Sequence, residues 1–277
     1  MTATVSDIIR IIEDIAPPQY AEKGDNVGLQ IGEKGWTAKK IWVSLDPSLK
    51  VVANACAQNV DLLISHHPLL FNPVTSIDFC TQIGKIIQSA ANHRLSIYAA
   101  HTNLDRAKGG VNDVLAARVG LKNIQLLEET PFDNRLYPLY SPQSPVGLGR
   151  IGELEQSMPI KSFLRTIKRN FGLKHVRVAG SCRLSVKRVA VCGGSGSSLL
   201  NTFMKSDAQV FISGDLRYHD ARSVEDTNKC LVDIGHFHSE RLVIESLAEI
   251  ISKKLTEAGF DSNVEGCELE TDPFIVL

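Results

Sequence analysis

Two adjacent histidines, His66 and His67, follow the run Leu62, Leu63, Ile64 and Ser65, and Pro68 comes next. Burying an imidazole without a partner is costly, and two protonated neighbours would repel each other. A divalent cation is a partner that wants two neutral imidazoles at one point. Two further histidines each precede a carboxylate by four positions: His101 and Asp105 in "AAHTNLD", His236 and Glu240 in "DIGHFHSE". Four imidazoles and two carboxylates exceed the three protein ligands of a catalytic zinc. They suit two cations, since a carboxylate can bridge ions while imidazoles complete each one. No thiolate accompanies the set, which argues against a structural zinc knuckle and for Zn, Mn, Fe or Ni in a nitrogen and oxygen site. Taken alone, each pair also reads as a charge pair at a helix start, or as a strand end bonded to backbone carbonyls.

The elements that must position these residues alternate. β-Branched runs predict strands at 40–45, 61–65, 95–100, 188–192, 208–213 and 230–234. Helical patterns fill 48–58, 82–92, 111–119, 159–170, 197–205, 217–226 and 238–257. Val5, Ile8, Ile9, Ile12 and Ile15 mark one face of a further helix that stops before Pro17 and Pro18. The pattern is that of an α/β protein. It also repeats. "KIWVSLD" leads to "DLLIS" with 23 positions from Ile41 to Ile64, and "RVAVCGG" leads to "QVFIS" with 23 positions from Val189 to Ile212. A third strand follows in each half, delayed in the first by the extra loop "PLLFNPVTSIDFCT", and each ends in a histidine four residues before a carboxylate. The expected architecture is two pseudo-repeated α/β lobes with a metal site in the cleft between them, because functional groups gather beyond the C-terminal ends of strands in such sheets. The expected division is 1–127, with 241–277 packed on it, and 128–240, which includes a proline-rich connection over about 128–150.

Two other stretches carry possible chemistry. "CGGSGSS" (192–198) follows a strand and opens a helix. Its backbone N–H groups could cradle an anion, or its glycines could allow close helix–strand packing; it lacks the lysine of a P-loop. "SGDLRYHD" (213–220) stands where the double histidine stands in the first half, so Asp215, Arg217 and His219 are expected to face the same cleft. His93, His175 and His238 sit in polar or helix-edge settings and are expected at the surface.

Composition narrows the class. The chain is 43% hydrophobic and 22% charged, ordinary for a soluble domain, and its formal net charge of −1 favours neither a nucleic acid nor an acidic membrane as partner. No apolar run approaches the length of a membrane span, and Asp7, Arg10, Glu13 and Asp14 break up the N-terminal apolar residues, unlike a signal peptide. The six cysteines are scattered without a CxxC pair, which reads as reduced thiols in a cytoplasmic protein.

In order, "GDNVGLQIG", "SHHPLLF", "HTNLD", "CGGSGS", "SGDLRYHD" and "DIGHFHSE" resemble the NIF-three-like family, also labelled GTP cyclohydrolase type-two homologues. The resemblance implies a two-lobed α/β protein, a toroidal homohexamer and two divalent metal ions per chain. It places the metal ligands on His66, His67, His101, Asp105, His236 and Glu240. It implies a metal-dependent hydrolase of the cyclohydrolase kind acting on a small molecule such as a nucleotide, with a phosphoesterase or a non-catalytic metal-binding ring as alternatives. His219 is the candidate general acid or base, and Asp25, Asn26, Gly193, Gly194, Ser195 and Gly196 are candidate substrate contacts. Gly24 stands where family members usually carry a tryptophan, and the long inserted domain of some members is absent.

Overall fold

The computed structural model describes residues 1–130 and 145–276. In chain order the elements are α1 (Val5–Ile15), β1 (Gly28–Ile31), β2 (Lys40–Ser44), α2 (Leu49–Ala57), β3 (Leu62–Ser65), α3 (Gln82–Asn92), β4 (Ser96–Ala99), α4 (Thr102–Arg106), α5 (Val111–Val119), β5 (Lys122–Glu129) and β6 (Gly147–Pro159). They continue with α6 (Ile160–Phe171), β7 (Arg177–Gly180), β8 (Ser185–Ser195), α7 (Leu200–Lys205), β9 (Val210–Gly214), α8 (Tyr218–Ser223), β10 (Cys230–Asp233), α9 (His236–Glu240), α10 (Leu242–Glu257) and β11 (Asn263–Gly266). Helix starts follow local chemistry. Thr4 and Asp7 close a capping box on α1, and the hydroxyls of Ser48 and Thr81 accept backbone N–H groups at the starts of α2 and α3.

The chain divides into two units, Met1–Ala107 with Val243–Leu277, and Lys108–Leu242. The first holds a five-stranded sheet in the order β1-β4-β3-β2-β11. β2, β3 and β4 run parallel, and the antiparallel β1 closes the edge beyond β4. Its core joins Trp42, Leu63 and Ile97 of the sheet to Val52 and Ala55 of α2 and to Ile86 and Ala90 of α3. The second unit holds a six-stranded sheet in the order β5-β6-β8-β9-β10-β7. β8, β9 and β10 run parallel, and the antiparallel β7 closes the edge beyond β10. Phe163 and Ile167 of α6 and Leu115 of α5 cover one face of this sheet, while Leu200 and Phe203 of α7 cover the other.

The repeat is visible in the register. Ile41 pairs with Leu62 and Val43 with Ile64; Val189 pairs with Val210 and Val191 with Ile212. On that alignment Asp46 corresponds to Gly194, and His66 and His67 correspond to Gly214 and Asp215.

Several expectations change. The boundary falls at 107/108 rather than 127/128, because α5 and β5 pack on β6 and β8. Part of the stretch read as a connection is strand: β5 ends at Glu129 and β6 begins at Gly147, while residues 131–144 lie outside the described residues. The helix expected over 238–257 is divided in two. His236 and Glu240 share the short α9, and α10 starts separately at Leu242. α4, the helix that carries Asp105, was too short to show a period. Among the described residues no helix is long and apolar enough to cross a membrane. All six cysteines are unbridged; Cys56, Cys192, Cys230 and Cys267 are buried, and Cys80 and Cys182 are exposed.

Candidate metal centre

In the first unit the ends of three parallel strands build one cluster. The N–H groups of His66 and His67 continue the β2–β3 ladder onto the carbonyls of Ser44 (3.0 Å) and Leu45 (2.9 Å). The Ser65 hydroxyl donates to the His67 carbonyl at 2.8 Å and tightens the turn. His101 leaves β4 and caps α4, its carbonyl accepting from Leu104 and Asp105. The rings of His66, His67 and His101 stand 5.1 to 5.6 Å apart, and one ring nitrogen from each lies within 4.8 Å of the others. His66 Nε2 lies 3.6 Å from Asp105 Oδ1. That is too long for a hydrogen bond and close to the roughly 3.4 Å between two ligands on one cation with bonds near 2.1 Å.

Each ring is held by its other nitrogen. His66 Nδ1 lies 2.8 Å from the Ala100 carbonyl, His67 Nδ1 2.8 Å from Asp46 Oδ1, and His101 Nδ1 2.9 Å from Asp25 Oδ1. Carbonyls and carboxylates only accept, so Nδ1 carries the proton in each neutral ring and Nε2 is the atom with a lone pair that a cation can use. Burial alone would push the Asp25 carboxyl up, but hydrogen bonds from His101 and Thr102 outweigh it and bring it down to about 2. Asp46 is itself braced: its N–H and that of Leu45 donate to Glu270, at 2.7 and 2.8 Å. Burial pushes the Glu270 carboxyl up, against the pull of those two N–H groups.

The second unit presents the pair His236 and Glu240 on α9. His236 Nδ1 lies 2.7 Å from Asp215 Oδ2, and His236 Nε2 lies 2.8 Å from Glu240 Oε2. With the proton on Nδ1, two lone pairs face each other across that 2.8 Å, an arrangement that requires a cation or a proton between them. The donor set therefore fits a metal in both units. Buried Asp233 supports this corner by accepting from Leu216 and Gly235 N–H and from Arg177.

The other expected site residues fall differently. The glycine stretch is the end of β8, and its N–H groups are already given to side chains: Gly193 to Asn112, Gly194 to Ser239 and Gly196 to Ser213, each at 2.9 Å. It is a packing surface for α9. A Cβ on Gly194 would stand 2.2 Å from Glu240 Oε1. Ser195 is exposed at the strand's last position. Asp25 is committed to His101 and Thr102, and Asn26 donates to the Leu70 carbonyl at 2.7 Å, anchoring the loop after the double histidine. His219 is exposed on α8 with its ring against Tyr218. His93 and His175 are exposed, whereas His238 is half-buried against Phe237.

Residues 3–273 match the family described as Duf34/NIF3 (NGG1p interacting factor 3). The chain belongs to the DUF34/NIF3 family. Among its relatives, a protein of Clostridium perfringens named GTP cyclohydrolase 1 type 2 homolog is 34% identical over 94% of both chains. A Clostridium acetobutylicum protein of the same name is 30% identical over 99% of both. Among solved structures, a Bacillus cereus protein described as related to NIF3 superposes with a TM-score of 0.91 at 26% identity, covering 100% of each chain. Reduced HcgD from Methanocaldococcus jannaschii gives 0.79 at 31% identity, over 97% of this chain and 99% of that one. The DUF34/NIF3 match spans both units and all six histidine and carboxylate positions described above.

Proposed function

We propose that this chain is a hydrolase dependent on two divalent cations, with His66, His67, His101, Asp105, His236 and Glu240 as their ligands. The observation that carries the reading is the locked tautomer: four imidazoles each held through Nδ1 by an oxygen, with Nε2 directed elsewhere. The pair on α9 supplies two ligands and the first unit four, which supports two ions rather than one. Divalent cations held there would supply Lewis acidity and bring the pKa of a water toward neutrality. The chain's own part is to keep the rings neutral and aimed, through Asp46, Asp25 and Asp215. The names of the Clostridium relatives support a nucleotide substrate and ring-opening hydrolysis. Such a reaction needs a proton donor for the leaving nitrogen, and His219, exposed on α8, is the proposed group.

The test is metal analysis with turnover. Purified protein loaded with Zn, Mn, Fe or Ni should hold two ions per chain, and His66→Ala, His67→Ala or Glu240→Ala should lose at least one, while His93→Ala loses none. Protons compete with metal for imidazole, so affinity should fall steeply between roughly pH 7 and pH 5. Loaded protein should then open the purine ring of a nucleoside triphosphate. Phosphate release without ring opening would move the reading to a phosphoesterase. Two bound ions with no turnover of nucleotides or phosphoesters would end the hydrolase reading and leave a metal-binding role.

A further inference from the structure

The near-neutral total charge hides a division. Lys108–Leu242 carries 19 Lys and Arg against 13 Asp and Glu, a net of +6, while the rest of the chain carries 11 against 18, a net of −7. Within the basic unit, residues 156–206 contain ten Lys and Arg and no carboxylate. Some of these cations are spent internally. Arg177 pairs with Asp233, Arg188 with Glu153 and Asp207, and Lys187 donates to the carbonyls of Leu154 and Glu155.

Apart from Lys205 on α7, the others gather around α6. This helix buries Ile160, Phe163 and Ile167 and turns Lys161, Arg165 and Arg169, spaced four apart, to solvent, with Lys168 beside them. Arg183 stands at the helix start, where the neighbouring Leu184 carbonyl accepts from Ile160 N–H at 2.9 Å. Arg118 stands at the helix end, where its guanidinium and carbonyl both bond Asn170. Lys174 follows the helix. None of these seven side chains forms an ion pair with a carboxylate among the described residues. Twelve residues of helix make the strip about 18 Å long.

We propose that the outward face of α6, extended by Arg183, Arg118 and Lys174, binds the phosphate backbone of B-form duplex DNA. An acid-free row of cations along a straight helix is the electrostatic footprint of a polyphosphate. The strip lacks what other partners need. No large apolar side chain is exposed on α6, so there is no anchor for a protein hot spot and nothing to insert into a bilayer. No aromatic ring is exposed there to stack unpaired bases; Phe163 is fully buried and Phe171 half-buried. Contact would therefore be to backbone, sequence-independent, and read as salt dependence. B-form DNA has a major groove wide enough for a helix, whereas the groove of an RNA duplex is deep and narrow.

The experiment is fluorescence anisotropy with full-length protein and a labelled 30-base-pair DNA of arbitrary sequence, between 50 and 200 mM salt. Wild-type should bind with a log–log salt slope of roughly −4 to −6, about −0.9 per phosphate contacted. The triple variant Lys161→Ala, Arg165→Ala, Arg169→Ala should lower the slope by about 3 and weaken binding more than tenfold at 50 mM, about one unit per phosphate contact removed. Its circular dichroism should match wild-type, since all three side chains are exposed. Lys205→Ala, at the end of α7 on the opposite sheet face, should leave slope and affinity unchanged. No binding at 50 mM salt, an unchanged slope in the triple variant, tighter binding to RNA duplex, or equal competition by polyglutamate would each overturn the proposal.

Discussion

Asp46 and Asp215 follow one rule. Each ends one strand of a parallel sheet and holds, 21 positions later, the imidazole that ends the next: Asp46 with His67, Asp215 with His236. Adjacent parallel strands in register finish side by side, so one β-α unit upstream is where a support for a strand-end histidine belongs. The histidines and carboxylates proposed as ligands, and their places at strand ends, were legible in the sequence. The supports were not, because a bond between residues 21 apart leaves no local pattern; Asp46 stood in "KIWVSLD" without an assigned role. Asp46→Asn and Asp215→Asn should each weaken metal binding by about 10- to 100-fold in a competition titration with a coloured chelator. An amide can donate, which allows the wrong tautomer and leaves Nε2 protonated. Asp46→Glu should recover part of the loss. Wild-type affinity in both asparagine variants would show that the rings are held by packing alone.

At the scale of elements, six strands were readable because they are buried, parallel and rich in β-branched residues. β5 was not: most of "KNIQLLEE" is exposed or polar, and its pairing to β6 comes from tertiary context. β6 contains three glycines and ends in proline, which reads as turn. The glycine stretch was ambiguous between anion loop and close packing, and only the hydrogen bonds of Gly193, Gly194 and Gly196 decide it. Where the first unit places Asp46, the second has Gly194, at φ +59 and against Glu240. Gly194→Ala combines two costs, a left-handed backbone and a Cβ in the space of the Glu240 carboxylate, and should lower stability by about 2–4 kcal/mol. Gly172→Ala, at φ +66 with open space around it, carries the backbone cost alone and should lose about 1–2 kcal/mol. Thermal melts compare the two. Only Gly194→Ala should also reduce metal content, and an equal effect of both on stability would mean that α9 moves aside without resistance.

Among the described residues, the exposed apolar side chains that cluster along the sequence lie in the first unit, while Ile124, Val178 and Tyr218 are exposed singly in the second. Phe71, Ile77 and Phe79 of the loop after the double histidine are each at least half exposed, with Val74 and Ile83 beside them in sequence, and Phe274, Ile275 and Val276 are more exposed still. This loop is the fourteen residues 68–81 that the second unit lacks, so the repeat departs from itself where apolar surface appears. Exposed apolar surface of this kind marks association. We propose that it is covered by other copies of the chain, in the homohexamer that the family resemblance implies. Light scattering should then give about six times the 30.4 kDa of one chain. Ile77→Ser with Phe79→Ser should shift the mass downward without loss of bound metal, because neither residue is a proposed ligand. Salt separates this association from the one proposed for α6. Apolar contacts are not screened, so the assembly should persist in 1 M salt, where the Debye length is about 3 Å and duplex DNA is released. A monomer at all concentrations, or an assembly that dissolves along the same salt curve as the DNA complex, would show that charge and not this apolar loop holds the copies together.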